Sequence, residues 1–493
     1  MKLITKLTST VQTRYCFAIL SLLFISSTAF AQTKAEKIDA LITKYHQYNQ
    51  FNGTLLVAEN GKEIYKKGFG LANMEWNMPN QANTVFRIGS VTKQFTAILV
   101  LQLAAAGKIK LDEPINSYLP NYPKNNGSLI TIHHLLTHTS GIPNFTSFNN
   151  FQTEIANHAY TPDDFIGLFM NRPLDFLPGE RLAYSNSGYF LLGYIIEKIT
   201  GKTYGQCLKE SILDPLQMTH TGYDQNDLIL QNRASGYLKD FDGFKKASFS
   251  DMSVPYAAGG MYATAEDMQL WDHALYTDQL LPQKFKDSLF NTYATLRNIN
   301  YGYGWFIREI PNLKQHPIKV VEHGGGIEGF SSFISRIPED KNLILLFNNT
   351  GNTVLDEISS SIRAILYDKP YALPQPSLAT TLLNLLHSND VDTALNKMEA
   401  LKKQDTYAIA ESDINDAGYQ LLQDGKIKAA IAVFQINTAN FETSSNAFDS
   451  LGDAFVADDN TKLAIANYRT AVLLNPSNIH AKEELAKLQN SEK

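Results

Sequence analysis

Three short segments carry residue types able to attack and cleave a carbonyl compound. In Ser90-Val91-Thr92-Lys93 a hydroxyl precedes an amine by three residues, so both lie on one face if the segment is helical. Burial there disfavours the ammonium form and turns Lys93 into a base able to take the serine proton. A helix N-terminus favours negative charge developing on Ser90. Tyr184-Ser185-Asn186 supplies a phenol; a nearby lysine ammonium favours its phenolate, which can exchange protons with a serine nucleophile or a leaving group. Ser185 and Asn186 also suit an ordinary helix cap or turn. His323-Gly324-Gly325-Gly326 closes an extended run, and its glycines admit a substrate backbone to a strand edge. An N–H on that edge, together with the N–H of Ser90, makes an oxyanion hole. Ser-x-x-Lys alone is a weak signal, because a chain of 493 residues supplies such matches by chance.

The elements around these segments follow from the apolar pattern. Residues 53–59 read as a strand, Asn60-Gly61 as a hairpin turn, and 62–70 as the returning strand. Residues 91–106 are almost wholly apolar without Gly or Pro, which predicts a helix buried on most faces and ending at Gly107. A mixed helical stretch over 111–289 includes a helix at 189–200 with Gly201 as its cap. Strands return at 318–322, 329–337 and 342–348, the last two joined by Pro338-Glu339-Asp340-Lys341, and an amphipathic helix covers 354–367. Strands at both ends of a helical middle predict one antiparallel sheet with a helical insertion beside it.

Pro370, Pro374 and Pro376 mark a stiff linker over 370–377, after which strand signals stop. In 378–493 a 34-residue period matches Ile414, Gly418, Leu421, Ala430 and Phe434 to Phe448, Gly452, Phe455, Ala464 and Tyr468. With Ala471 and Pro476 the second copy resembles the tetratricopeptide repeat, in which small residues let paired helices approach and aromatics fill the space between them. The first copy departs from it at Asn437 and Glu442. A helix over 378–403 is expected to cover one end of the array.

The order and context of the three chemical segments resemble the serine β-lactamase and penicillin-binding protein superfamily. The similar branch contains class C β-lactamases, DD-carboxypeptidases, D-aminopeptidases and family VIII esterases. The likeness spans about 40–367 and includes Phe86-Arg87-Ile88-Gly89, the run Leu135-Leu136-Thr137-His138-Thr139-Ser140-Gly141-Ile142-Pro143, and Pro178-Gly179-Glu180. Ala257-Ala258-Gly259-Gly260, Tyr301-Gly302-Tyr303-Gly304-Trp305 and Gly329-Phe330 belong to it as well. The resemblance implies an α/β (α+β) fold, an antiparallel sheet flanked by helices with a helical subdomain, followed here by an all-α repeat region. It implies a nucleophilic Ser90 that forms an acyl-enzyme, Lys93 and Tyr184 moving its proton, and Asn186 holding substrate amide and lysine. His323, Gly324, Gly325 and Gly326 would contact substrate, with the Ser90 and Gly326 amides as oxyanion hole. Class C β-lactamases usually carry lysine where this chain has His323, and a mostly neutral imidazole holds a substrate carboxylate less strongly. Efficient β-lactam hydrolysis is therefore the less favoured activity. No counterpart of the class A deacylating glutamate is evident, leaving Tyr184 to activate water.

Composition is that of a globular chain, 44% apolar and 19% charged. Net charge is −6, and −9 without residues 1–31, which carry Lys2, Lys6 and Arg14 and no acid; nucleic acid is not an expected partner. Residues 1–31 read as an export signal, with an apolar run over 15–25 too short to span a membrane and Ala29-Phe30-Ala31 as cleavage site. The mature protein, 32–369 plus linker and repeats, is thus expected in the periplasm or secreted, without a membrane span. Cys16 leaves with the signal, so Cys207 has no disulfide partner and reads as a small buried hydrophobe. His133, His134 and His138 imitate a metal site, but no Glu or Cys joins them at ligand spacing. No metal or cofactor is expected. These observations describe an exported serine hydrolase acting on an ester, amide or D-amino-acid peptide bond of a small-molecule or peptide substrate, with the repeats offering a surface to a protein partner. The rival description is a non-catalytic penicillin-binding or cell-wall-fragment sensor or scaffold; a pure binder has no chemical need for Ser90, Lys93 and Tyr184 together.

Overall fold

The computed structural model describes residues 32–240, 243–296, 299–351, 355–404 and 406–491. The expected export signal lies outside the described residues. Helix α1 (Lys34–Gln47) precedes an eight-stranded antiparallel sheet built from both ends of the hydrolase-like region. Its strands are β1 (Gly53–Glu59), β2 (Lys62–Phe69), β3 (Ala294–Leu296), β4 (Ile299–Tyr301), β5 (Phe306–Ile310), β6 (Ile318–Ile327), β7 (Phe330–Ile337) and β8 (Asn342–Asn348). They run in the order β3-β4-β5-β6-β7-β8-β1-β2. The pairing of β1 with β8, Leu56 opposite Leu345, joins the two parts of the chain.

Strand alternation divides the core into two. Leu55, Val57, Ile344 and Leu346 point to one face and pack under α1 and a helix at Leu355–Leu366. Leu56, Ala58, Leu345 and Phe347 point to the other face, into the core of the helical insertion. That core is centred on α2 (Thr92–Ala105) and α3 (Asn186–Thr200). Every residue of α2 from Thr92 to Leu101 is buried, as its unbroken apolar pattern predicts, and Phe95 stacks on Trp271 with ring centroids 3.9 Å apart. Helix α3 stops at Gly201, whose φ of 68° a side chain rarely adopts. The insertion also holds short strands that the pattern did not predict, among them the hairpin Tyr237–Asp240 and Gly243–Lys246; runs of four residues carry too little periodicity to register.

The Leu355–Leu366 helix is α4, and beyond the proline-rich segment the structure is all helix with its own core. The single helix expected over 378–403 is two, α5 (Leu378–Ser388) and α6 (Val391–Lys402), because Asp390 caps a new start by accepting the Thr393 N–H at 2.9 Å. Two further hairpins follow, α7 (Glu411–Gln423) with α8 (Ile427–Asn440) and α9 (Ser445–Ala457) with α10 (Thr461–Leu474), and then α11 (Ile479–Ser491). At equivalent places in these two hairpins a Cβ on Gly418 would lie 2.4 Å from the Phe434 ring, and one on Gly452 would lie 2.5 Å from the Tyr468 ring. The small residue of the 34-residue period thus makes room for the aromatic one. Tyr419 and Tyr468 both donate to Asp453, each at 2.6 Å, which ties α7 and α10 to α9. Gly452→Val is expected to destabilise the helical region by about 1–3 kcal/mol through overpacking, because the Tyr468 ring cannot yield without losing its bond to Asp453. Urea unfolding followed by circular dichroism reads this; an unchanged midpoint would refute the packing account.

Candidate active site

Ser90 sits in one turn of 3-10 helix, Gly89–Val91, that runs directly into α2. Two features place this turn against the sheet. Gly89 takes φ +50°, and a Cβ on Gly325 would lie 2.0 Å from the Ile88 carbonyl oxygen. Ser332 stands opposite Gly325 on β7, and its Oγ donates to that same carbonyl at 2.7 Å. The glycines do not end the strand, as the sequence suggested. Strand β6 continues through them to Ile327, pairing Gly324 with Phe333 and Gly326 with Ser331. Their missing side chains let the Ser90 turn close onto an intact ladder.

Lys93 is fully buried, and its Nζ lies 3.0 Å from Ser90 Oγ, 2.8 Å from Asn186 Oδ1 and 2.7 Å from the Ala258 carbonyl oxygen. Among the described residues no carboxylate pairs with it, and burial holds its pKa well below the ordinary lysine value. An uncharged amine has two N–H groups and one lone pair. The oxygens of Asn186 and Ala258 can only accept, so they take the two N–H groups. In that form the lone pair is left facing Ser90 Oγ, ready to take its proton, whereas the ammonium form donates to Oγ.

Tyr184 hydrogen-bonds Ser90, and Lys93 Nζ lies 4.8 Å from the centroid of its ring. Burial raises the phenol above its ordinary value, and the bond to Ser90 offsets this only in part. The expected phenolate is therefore not favoured: a buried phenol keeps its proton. Asn186 opens α3, with its backbone N–H and Nδ2 donating to Asn144 Oδ1 at 3.0 and 3.3 Å. Ser185 is the cap that its type suggests, accepting the Gly188 N–H.

His323 is buried behind the tyrosine and does not line the cleft that Ser90 opens onto; neither do Gly324 and Gly325, whereas Asn186 and Gly326 do. Its partners fix the tautomers of two histidines. The Ser185 N–H donates to His138 Nδ1 at 3.1 Å, so the His138 proton is on Nε2, which donates to Tyr301 Oη at 3.1 Å. Tyr301 donates to His323 Nε2 at 3.3 Å, and His323 Nδ1–H donates to the Gly324 carbonyl at 2.6 Å. The His138 ring lies 4.2 Å from that of Tyr184, so this chain braces the phenol from behind. His133, which bonds Tyr303, and His134, which accepts from the Thr131 N–H, are similarly engaged. The sequence also offered Asn144, just beyond the 135–143 segment, as a residue lining the substrate cleft; it instead holds Asn186. Tyr301 was named there without a role, and Ser332 and the Ala258 carbonyl were missed. Only the Ala-Ala-Gly-Gly segment offered a signal for the last.

Burial, and secondarily Lys93, push the His323 pKa down to about 3, and that of His138 well below 6.5. Unfolded histidines titrate near 6.5. As pH falls from about 6.5 toward 3 the unfolded chain gains protons that the native chain refuses, so this contribution to stability is lost on acidification. His323→Gln is expected to flatten the decline of melting temperature over that range; an identical slope would contradict the assignment.

The family model described as Beta-lactamase matches residues 38–367. Penicillin-binding protein 4* of Bacillus subtilis (strain 168) is 31% identical over 367 residues, which cover 70% of this chain and 78% of the relative. The crystal structure of a penicillin binding protein from Bacillus halodurans superposes with a TM-score of 0.58 at 30% identity, covering 66% of this chain and 98% of that one. D-amino acid amidase from Ochrobactrum anthropi SV3, complexed with L-phenylalanine amide, gives 0.57 at 26% identity and covers 67% and 97%. The chain belongs to the β-lactamase family of serine hydrolases, alongside penicillin-binding proteins, and continues into an all-helical region.

Proposed function

We propose that the protein is an exported hydrolase that cleaves an ester, amide or D-amino-acid peptide bond through an acyl-enzyme on Ser90. The observation that carries this reading is the buried Lys93 Nζ, 3.0 Å from Ser90 Oγ and held there by the oxygens of Asn186 and Ala258. As Oγ attacks the substrate carbonyl, its proton passes to Lys93, and the C–O bond to the enzyme forms. Negative charge on the carbonyl oxygen is met by the N–H groups of Ser90 and Gly326. Tyr184, protonated at rest, gives its proton to the departing alcohol or amine as the acyl bond breaks, and regains one from the Lys93 ammonium. Water then attacks the acyl carbon, its proton returns through Tyr184 and Lys93, and Ser90 is released.

An uncharged His323 in place of a cation offers little to a substrate carboxylate, which supports esters and amides over penicillins. The helical hairpins would present a protein-binding surface, and the mature protein would work in the periplasm or outside the cell. Incubating the mature protein with a chromogenic short-chain ester, a D-alanyl peptide and a labelled penicillin, beside Ser90→Ala, tests the reading. Turnover abolished in the variant supports it; equal signals from both proteins would instead indicate a binder. Lys93→Ala is expected to lower the acylation rate about 10²–10⁴-fold and at least as much as Tyr184→Phe. A larger loss in Tyr184→Phe would contradict Lys93 as the first proton acceptor.

A further inference from the structure

A second pocket, of ≈ 570 Å³, shares no lining residue with the ≈ 480 Å³ cleft in front of Ser90. The Tyr256–Gly259 turn stands between them. Ala258 and Gly259 line the cleft, while Tyr204 and Tyr223 line the pocket and hold their rings 5.3 and 6.0 Å from that of Tyr256. The charged side chains lining the pocket are Glu197, Lys209 and Asp214. Lys209 Nζ bonds both oxygens of Asp214, at 2.5 and 2.7 Å. Lys198 and Lys202, the lysines nearest Glu197 in the chain, pair with Asp163 and Glu210. Among the described residues no cation pairs with Glu197, whose Oε1 accepts the Tyr204 N–H at 2.7 Å. The rings complete the site. Those of Tyr204 and Tyr223 meet at 84° with centroids 5.7 Å apart, and Tyr262 crosses Gly222 so closely that a Cβ there would come within 2.5 Å of its Oη. Ring faces carry partial negative charge and attract a cation without asking it for N–H groups, and a carboxylate beside them adds a full charge. Leu213 and Met218 supply apolar wall for the substituents of such a cation.

Both ring walls bear on the turn that anchors the catalytic base. Thr96, one turn along α2 from Lys93, gives its proton to the Ala257 carbonyl at 2.7 Å, so Tyr204 Oη is the donor in the 2.8 Å bond between Tyr204 and Thr96. The next carbonyl, that of Ala258, is the one 2.7 Å from Lys93 Nζ. Tyr223 packs just beyond the turn, where a Cβ on Gly260 would lie 2.8 Å from its ring. Tyr256 itself has φ 38°, a region that residues with side chains rarely adopt, and its buried hydroxyl lacks a well-formed hydrogen bond. Such strain persists only while the surroundings hold it. Tyr204 and Tyr223 are among those surroundings, so what fills the pocket bears on where the Ala258 carbonyl points.

We infer that the pocket is a second ligand site, for a small quaternary ammonium ion, and that its occupancy adjusts Lys93 through the Tyr256–Gly259 turn. The adjustment of Lys93 rests on the hydrolase reading; the binding does not. Binding is read by calorimetric titration of the native protein at low salt with choline chloride and with its dimethylbutanol isostere, which carries a tert-butyl group in place of trimethylammonium. Choline is expected to bind about tenfold more tightly than the alcohol. The advantage is expected to vanish in Glu197→Gln, whose amide oxygen can still accept the Tyr204 N–H, and to shrink in Tyr262→Leu. It is expected to persist in Glu328→Gln, which removes the one charged side chain lining the Ser90 cleft. No saturable choline binding, an advantage undiminished by either pocket substitution, or one lost in Glu328→Gln would overturn the site. Saturating choline is also expected to change the rate at which a labelled penicillin acylates Ser90 by about fivefold, in the native protein and not in Glu197→Gln. An unchanged rate would overturn the link to Lys93. Failure of the hydrolase reading appears separately, as absence of Ser90-dependent labelling without choline, and calorimetry then still decides the site.

Discussion

The arrangement turns on a lysine whose pKa burial holds well below its ordinary value. Placing Lys93 in a helix buried on every side costs its solvation, and no carboxylate is supplied among the described residues to recover it. That cost makes the proton on Nζ easier to give up, and the acceptors on Asn186 and Ala258 hold Nζ within reach of Ser90 Oγ. Every other element of the site serves this geometry. Helix α3 brings Asn186, the Tyr256–Gly259 turn brings Ala258, and the glycines of β6 let the Ser90 turn close against the sheet.

The same low-polarity interior sets the state of the neighbours. Tyr184 keeps its proton, and His138 and His323 stay neutral, because burial disfavours the charged form of each.

Much of this was legible in the chain. The spacing of Ser90 and Lys93, the apolar run of α2, the β1–β2 turn at Asn60-Gly61 and the glycine–aromatic pairs of α7–α10 are local patterns that one segment displays on its own. What could not be read depends on residues far apart: the Ala258 carbonyl that receives the Lys93 N–H is 165 positions away, and Ser332 reaches Ile88 across 244. The Tyr184 charge state was misjudged because the pull of a neighbouring ammonium was weighed and the burial of the phenol itself was not. His323 was expected at the cleft because the resemblance places it where class C β-lactamases carry a lysine, and its burial among Tyr184, Tyr301 and Phe306 is not visible in the segment itself. The break between α5 and α6 was signalled by Asp390, a good N-cap residue embedded in an otherwise continuous helical pattern.

The closure of the sheet between β1 and β8 has a consequence for assembly. During synthesis from the N-terminus, the first hairpin, complete at Phe69, waits with an unpaired edge until 279 further residues have been made, since Gly53 pairs with Asn348. Each helical hairpin of the C-terminal region, by contrast, finds its partner within a few dozen residues and can collapse as soon as it emerges. The pairing with the longest wait in making this protein is thus that of its first-made strand with a late one, while the last-made part needs only partners close by in the chain.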